Sequence, residues 1–204
     1  MKVTKLFGLI GLLVALVASA APAHAQFATG GSEGDRFMAA VRDFDAPTAM
    51  GMLREPGNNL VNYRSRDGDA ALHISVRGRK LSWVDALVGF DADIDIRDAD
   101  GETPLMIAIR MKQADIASRL LGYGASVNLA NRRGETPLIL AVQARHGNLV
   151  ETLLKDGADP DATDSVAGLS ARDYARRDTR NPHLLELIEN TSKQDDFKFG
   201  PVLR

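Results

Sequence analysis

Asp100-Gly101-Glu102-Thr103-Pro104-Leu105 recurs as Arg133-Gly134-Glu135-Thr136-Pro137-Leu138, 33 residues downstream. A weaker copy, Asp67-Gly68-Asp69-Ala70-Ala71-Leu72-His73, lies 33 residues upstream, and Gly168-Leu169-Ser170-Ala171 follows with a shift of 34. A fixed period of this length marks a repeat architecture, in which each unit is too small to bury its own apolar side and must stack on its neighbours. Within a unit the local chemistry is explicit. Gly101 permits the positive φ of a tight turn. Thr103 is a good helix N-cap, and Pro104 then sits at the first helical position, where its missing N–H is not needed. Leu105, Ile107, Ala108 and Ile109 fill the first helix; Ile116, Leu120 and Leu121 belong to a second, which Gly124 closes as a left-handed cap.

These motifs resemble the ankyrin repeat, a unit of about 33 residues with a Thr-Pro-Leu-His signature. The Ala125-Ser126-Val127-Asn128 stretch and Gly157-Ala158-Asp159-Pro160 resemble the linkers between such units. The resemblance implies an all-α solenoid of stacked helix-turn-helix units with protruding β-hairpin turns, about five units including caps. It covers residues 35–190, divided at 35–66, 67–99, 100–132, 133–165 and 166–190. Residues 35–66 lack the signature and suit a capping unit, with Asp35 opening one helix and Asp45-Ala46-Pro47 the next; terminal repeats are atypical because one face meets water. In the second unit Ala70 and Ala71 replace Thr and Pro, so a cap of about 1 kcal/mol is missing and this unit is expected to be the softest; Asp69 is the nearest substitute. Ser170 and Asp173 read as a capping box for the fifth unit, and Pro182 opens its last helix.

Before the repeats, Lys2 and Lys5 precede a nearly continuous apolar run from Leu6 to Ala21, followed by Ala23-His24-Ala25. That order reads as a signal peptide, residues 1–25, cleaved after Ala25. The alternative, an uncleaved anchor, is disfavoured because a membrane span needs about 20 apolar residues. Residues 26–34 are Gly-rich and read as a linker; residues 191–204 show no helical period and read as a tail, either covering the last helix or docking elsewhere. A periplasmic or secreted location is expected, without stable membrane insertion once the signal is removed. With 0 Cys, there are no disulfides and no thiol chemistry. The net charge is -2. Removal of Lys2 and Lys5 from the 25 Lys and Arg leaves 23 against 27 Asp and Glu, or -4. That balance argues against a nucleic-acid partner.

Little in the sequence points to catalysis. His73 occupies the signature His, His146 matches the family's Gly-His at the start of the second helix, and His183 has no evident partner. No His-Glu-x-x-His is present, and Gly168-Leu169-Ser170 has no closing Gly two residues later, so neither a zinc site nor a nucleophile elbow is expected there. Asp91, Asp93 and Asp95 alternate, but calcium loops also need a Gly and a distal Glu, and these three lie in a repeat linker. No metal, cofactor or catalytic residue is assigned, and an enzyme is the least favoured class.

Stacking aligns residues 33 apart into columns. Asp69, Glu102 and Glu135 form an acidic column before the first helices; Arg79, Lys112 and Arg145 form a basic one just after them, where the family usually has Gly. Arg77 and Arg110 extend the basic set, and Gln143 breaks it. Both columns offset helix dipoles, each contact contributing roughly 0.3–1 kcal/mol. The basic column has the further property that it attracts an acidic partner. By resemblance, partners meet the hairpin tips and the exposed side of the first helices: Arg97, Ala99, Asp100 and Glu102 in one unit, Ala130, Arg132, Arg133 and Glu135 in the next. Tyr63 is the aromatic candidate near a tip, and Trp83 is assigned to the core. The expected function is therefore non-enzymatic: binding, scaffolding or protecting an envelope protein through the concave face. The alternative is a cell-wall or anionic-polymer binder that uses the basic column.

Overall fold

Each first helix is seven residues long where the signature is intact, and both of its ends are set by local chemistry. In a computed structural model, which describes residues 31–198 and side chains from 31 to 190, Thr103 caps Pro104–Arg110 (α5) and Thr136 caps Pro137–Gln143 (α7) through their hydroxyl oxygens. The expected signal peptide and the first part of the linker lie outside the described residues.

The helices pair in chain order: Glu33–Arg42 (α1) with Ala46–Leu53 (α2), Ala71–Arg77 (α3) with Leu81–Gly89 (α4), α5 with Ala114–Gly122 (α6), and α7 with Gly147–Lys155 (α8). The last pair is Ala171–Arg177 (α9) with Pro182–Lys198 (α10). First helices α1, α3, α5, α7 and α9 stack in one layer, and second helices α4, α6, α8 and α10 in another. Among the described residues the architecture is all-helical, with a single 3-10 turn at Leu60–Asn62 and no extended strand. The core runs continuously through the stack. Phe37, Leu72, Leu105 and Leu138 are sealed in the first-helix layer; Leu87, Leu120 and Leu153 are sealed in the second. Complete burial of one such side chain contributes about 1.5–3 kcal/mol.

The turns between first and second helices share one backbone device. Phe44, Arg79, Lys112 and Arg145 have φ of 52°, 56°, 55° and 57°. At each turn paired bonds satisfy the free carbonyls: Lys112 N–H donates to Ile109 O at 2.9 Å and Gln113 N–H to Ala108 O at 2.8 Å, and the other three turns repeat the pattern. Left-handed backbone is unfavourable for a residue with a Cβ, by roughly 1–2 kcal/mol. The glycine forgone at this position is thus a real conformational load, accepted in four successive units.

Three details differ from the sequence reading. The first helix opens at Glu33, inside the expected linker, because Ser32 and Asp35 form a reciprocal capping box: Asp35 N–H donates to Ser32 Oγ at 3.1 Å and Ser32 N–H to Asp35 Oδ2 at 3.1 Å. Asp35 is its third helical residue, not its opening. The last helix continues through Lys198 into the expected tail. The missing cap at Ala70 is not supplied by Asp69, whose carboxylate is taken by Arg77. His73 Nδ1 instead accepts the Ala70 N–H at 3.0 Å, leaving Nε2 to donate to Ile96 O at 3.0 Å and Glu102 O at 3.2 Å. One buried imidazole therefore holds the second unit's helix start to the third unit.

Candidate functional site

The hairpin turns are built on a buried column absent from the sequence reading: Asp98, Asn131 and Asp164, each 33 residues apart. Asp98 Oδ1 accepts the N–H groups of Asp100 and Glu102, both at 2.9 Å. Asn131 Oδ1 accepts those of Arg133 and Glu135 at 2.9 and 3.0 Å, and Asp164 Oδ1 those of Val166 and Ala167 at 2.8 and 2.6 Å. Successive turns are also tied together, Arg132 N–H to Asp100 O at 3.0 Å and Ser165 N–H to Arg133 O at 2.8 Å. In the second unit the same position is Ser65, whose buried hydroxyl has no partner among the described residues.

On this frame the acidic column is neutralised. Arg77 reaches back along α3 to Asp69 and across to Asp98 at 2.8 Å. Arg110 does the same one unit on, pairing with Glu102 and with Glu135 at 3.3 Å. Arg133 meets Glu135 at 2.9 Å and Glu102 at 4.0 Å. Burial works against the charge on Glu135, but the Asn131 amide and the Arg133 and Arg110 guanidiniums prevail and hold its carboxyl below the usual range. Glu102, Arg110, Arg133 and Glu135 thus form one ion network with its carboxylates sheltered and its guanidiniums facing water. Exposed pairs of this type contribute little stability each, and they fix side-chain positions. The acidic column is therefore not a bare anionic stripe, and Arg77, Arg110 and Arg133 already have partners.

The basic column is mixed. Arg79 Nη2 donates to Met111 O at 3.3 Å in the next unit. Arg145 grips Asp178, 33 residues on, through two bonds of 2.6 and 3.0 Å. Those bonds from the Arg145 guanidinium hold the Asp178 carboxyl below the usual carboxylate range. Lys112 is exposed and makes no polar side-chain contact among the described residues. Arg97 is drawn into the frame by donating to Ala130 O at 2.9 Å, while Asp100 and Arg132 stand exposed at turn tips. Tyr63 is not a free aromatic: its hydroxyl lies 3.1 Å from Ser32 Oγ and 3.1 Å from Asp35 Oδ1, clasping the first helix. Trp83 is buried edge-on to Phe44 at 5.5 Å.

The aspartates that suggested calcium are structural. Asp95 accepts the Ser126 N–H at 2.9 Å and the Ser126 hydroxyl, and Asp93 Oδ1 accepts the Asp95 N–H at 3.0 Å. Val166, Arg177 and Arg180 escaped the sequence reading. Val166 is 76% exposed at the fifth turn tip, and its register with Arg133 was the available signal. Arg177 and Arg180 are exposed and form no ion pair with a described residue. They flank Asp178, whose own register with Arg145 identifies the turn.

A stack of helix pairs in 33-residue register, with a braced row of turn tips along one edge, defines a repeat protein. A model described as ankyrin repeats (3 copies) matches residues 37–131 and again 72–164. The two matches span more than half of the chain, and the chain belongs to the ankyrin-repeat family. Proteins of this family are generally protein–protein interaction modules and typically non-enzymatic. A search of curated proteins found no match.

Proposed function

We propose that this protein is a non-enzymatic interaction module of the bacterial periplasm, binding another envelope protein through its concave face and so scaffolding, protecting or inhibiting it. One observation carries the reading. After every internal ion pair is accounted for, the turn tips Asp100, Arg132 and Val166 remain exposed on a rigid, hydrogen-bonded ladder. Preorganised groups of mixed character favour specific protein contacts, because little ordering entropy remains to be lost on binding. Lys2, Lys5, the apolar run and Ala23-His24-Ala25 support the export part of the proposal.

The test is retention from a periplasmic extract on the mature chain, starting at Gln26, at low and high salt. One protein held at both salts supports the module, and nothing held at either overturns it. Lys112, Arg177 and Arg180, which form no ion pair with a described residue, favour a second reading, an anionic-polymer binder, which predicts retention at low salt only. Fractionation of cells carrying the full chain tests location: recovery in the cytoplasm with the N-terminus intact refutes export.

A further inference from the structure

Between α7 and α9, a cleft of about 400 Å³ opens at the end of the first-helix layer. Its floor is the Arg145–Asp178 pair, so the one carboxylate there is already neutralised. Its rim carries Arg177, the last residue of α9, and Arg180 from the turn that follows, and its wall carries Gln143 and the half-buried ring of Tyr174. The turn is preorganised. Thr179 N–H donates to Arg177 O at 3.0 Å, Asn181 N–H to Asp178 O at 3.0 Å, and Arg180 N–H to Asp178 Oδ1 at 3.3 Å. Tyr174 is pinned by donating to Asp164 Oδ2 at 2.7 Å.

We infer that this cleft is a binding site for an acidic peptide segment, with Arg177 and Arg180 as the carboxylate-binding groups. The inference rests on the interaction reading above and names the chemistry of the partner. Guanidinium groups present planar forks that match carboxylates two bonds at a time. The lining carries three guanidiniums, Arg145, Arg177 and Arg180, against the one carboxylate of Asp178, an excess of positive charge that the nearby Asp173 offsets only in part. An aromatic wall and the neutral Gln143 amide suit a peptide, whose carboxylates alternate with backbone and apolar groups. A uniform polyanion would use the open column of Arg79 and Lys112 at least as well, since its charge needs no cleft.

The test is fluorescence anisotropy with a labelled peptide of alternating Glu and Gly, against the same peptide with Gln for Glu, and against inorganic polyphosphate. The Glu peptide should bind saturably and the Gln peptide should not. Arg177→Glu with Arg180→Glu should weaken binding about tenfold or more. Arg177→Gln with Arg180→Gln, a milder pair that guards against misfolding, should also weaken it, with unchanged circular dichroism. Arg79→Glu with Lys112→Glu should leave the affinity within about twofold, because those side chains lie outside the cleft. Equal binding by the Gln peptide, or equal loss from the Arg79 and Lys112 pair, overturns the assignment. So does polyphosphate binding that exceeds the Glu peptide and depends on Lys112. A protein captured equally by wild type and by the Arg177/Arg180 variants would refute the cleft while leaving the module standing. Loss of all protein capture by wild type would instead refute the module itself.

Discussion

Lys112→Gly isolates the conformational load at the turns between helices. Lys112 holds φ at 55° and its side chain makes no polar contact among the described residues, so the substitution removes strain without removing a bond. Relief of left-handed backbone is favourable by about 1–2 kcal/mol. Glycine returns roughly 0.5–1 kcal/mol of that through the larger entropy of its unfolded chain. The expected net gain lies between about 0 and 1.5 kcal/mol, or a rise of up to about 6 °C in Tm for a chain of this size. Phe44→Gly relieves the same backbone but deletes the ring that stands edge-on to Trp83 at 5.5 Å and beneath Lys80 Nζ at 5.0 Å. A half-buried aromatic contributes about 2 kcal/mol or more, so Phe44→Gly should be destabilised outright. Arg145→Gly should fall between them, since it loses the two-bond grip on Asp178. Urea midpoints followed by circular dichroism give the order. If Lys112→Gly unfolds at lower urea than wild type, the account of strain at this column is wrong.

His73 should make stability depend on pH. Burial, its largest influence, holds its pKa below the ordinary histidine value. The unfolded chain therefore takes up a proton first, so the His73 contribution is complete above about pH 6.5 and declines as pH falls below it toward the depressed folded value. His73→Gln should be less stable at neutral pH and lack this decline below about pH 6.5, as urea midpoints across pH will report. Gly134→Ala forces a Cβ to within 2.6 Å of Ser165 N at a φ of 75°, so the fourth turn must shift; a loss of about 1–3 kcal/mol is expected, with weaker amide protection at Ser165. Leu120→Ala empties a sealed site in α6 and should remove about 2–5 kcal/mol, measured by thermal unfolding. The second turn, with an unpartnered Ser65 hydroxyl and no side-chain cap at Ala70, should exchange its amides fastest of the central units; slower exchange there than at Asn131–Glu135 would refute its softness.

The unit, its period and the chemistry of its helix starts were legible in the residues alone. Thr103 and Thr136 cap, and Pro104 and Pro137 follow, because these effects act within one turn of backbone and need no knowledge of the neighbours. The capping box of Ser170 and Asp173 was legible for the same reason, whereas the equivalent box of Ser32 and Asp35 was hidden in a Gly-rich stretch that reads as linker. Column membership was also legible, since register follows from the period. What the columns do was decided only by tertiary structure. The partners of Arg77, Arg110 and Arg145 include Asp98, Glu135 and Asp178, which lie 21, 25 and 33 residues away in sequence, and long side chains choose among several carboxylates within reach. Tyr63 was likewise assigned by contact with a helix 28 residues earlier. Which charges remain free for a partner is what is left over after that pairing. It depends on distances between stacked units, and a period expressed in residues does not contain them.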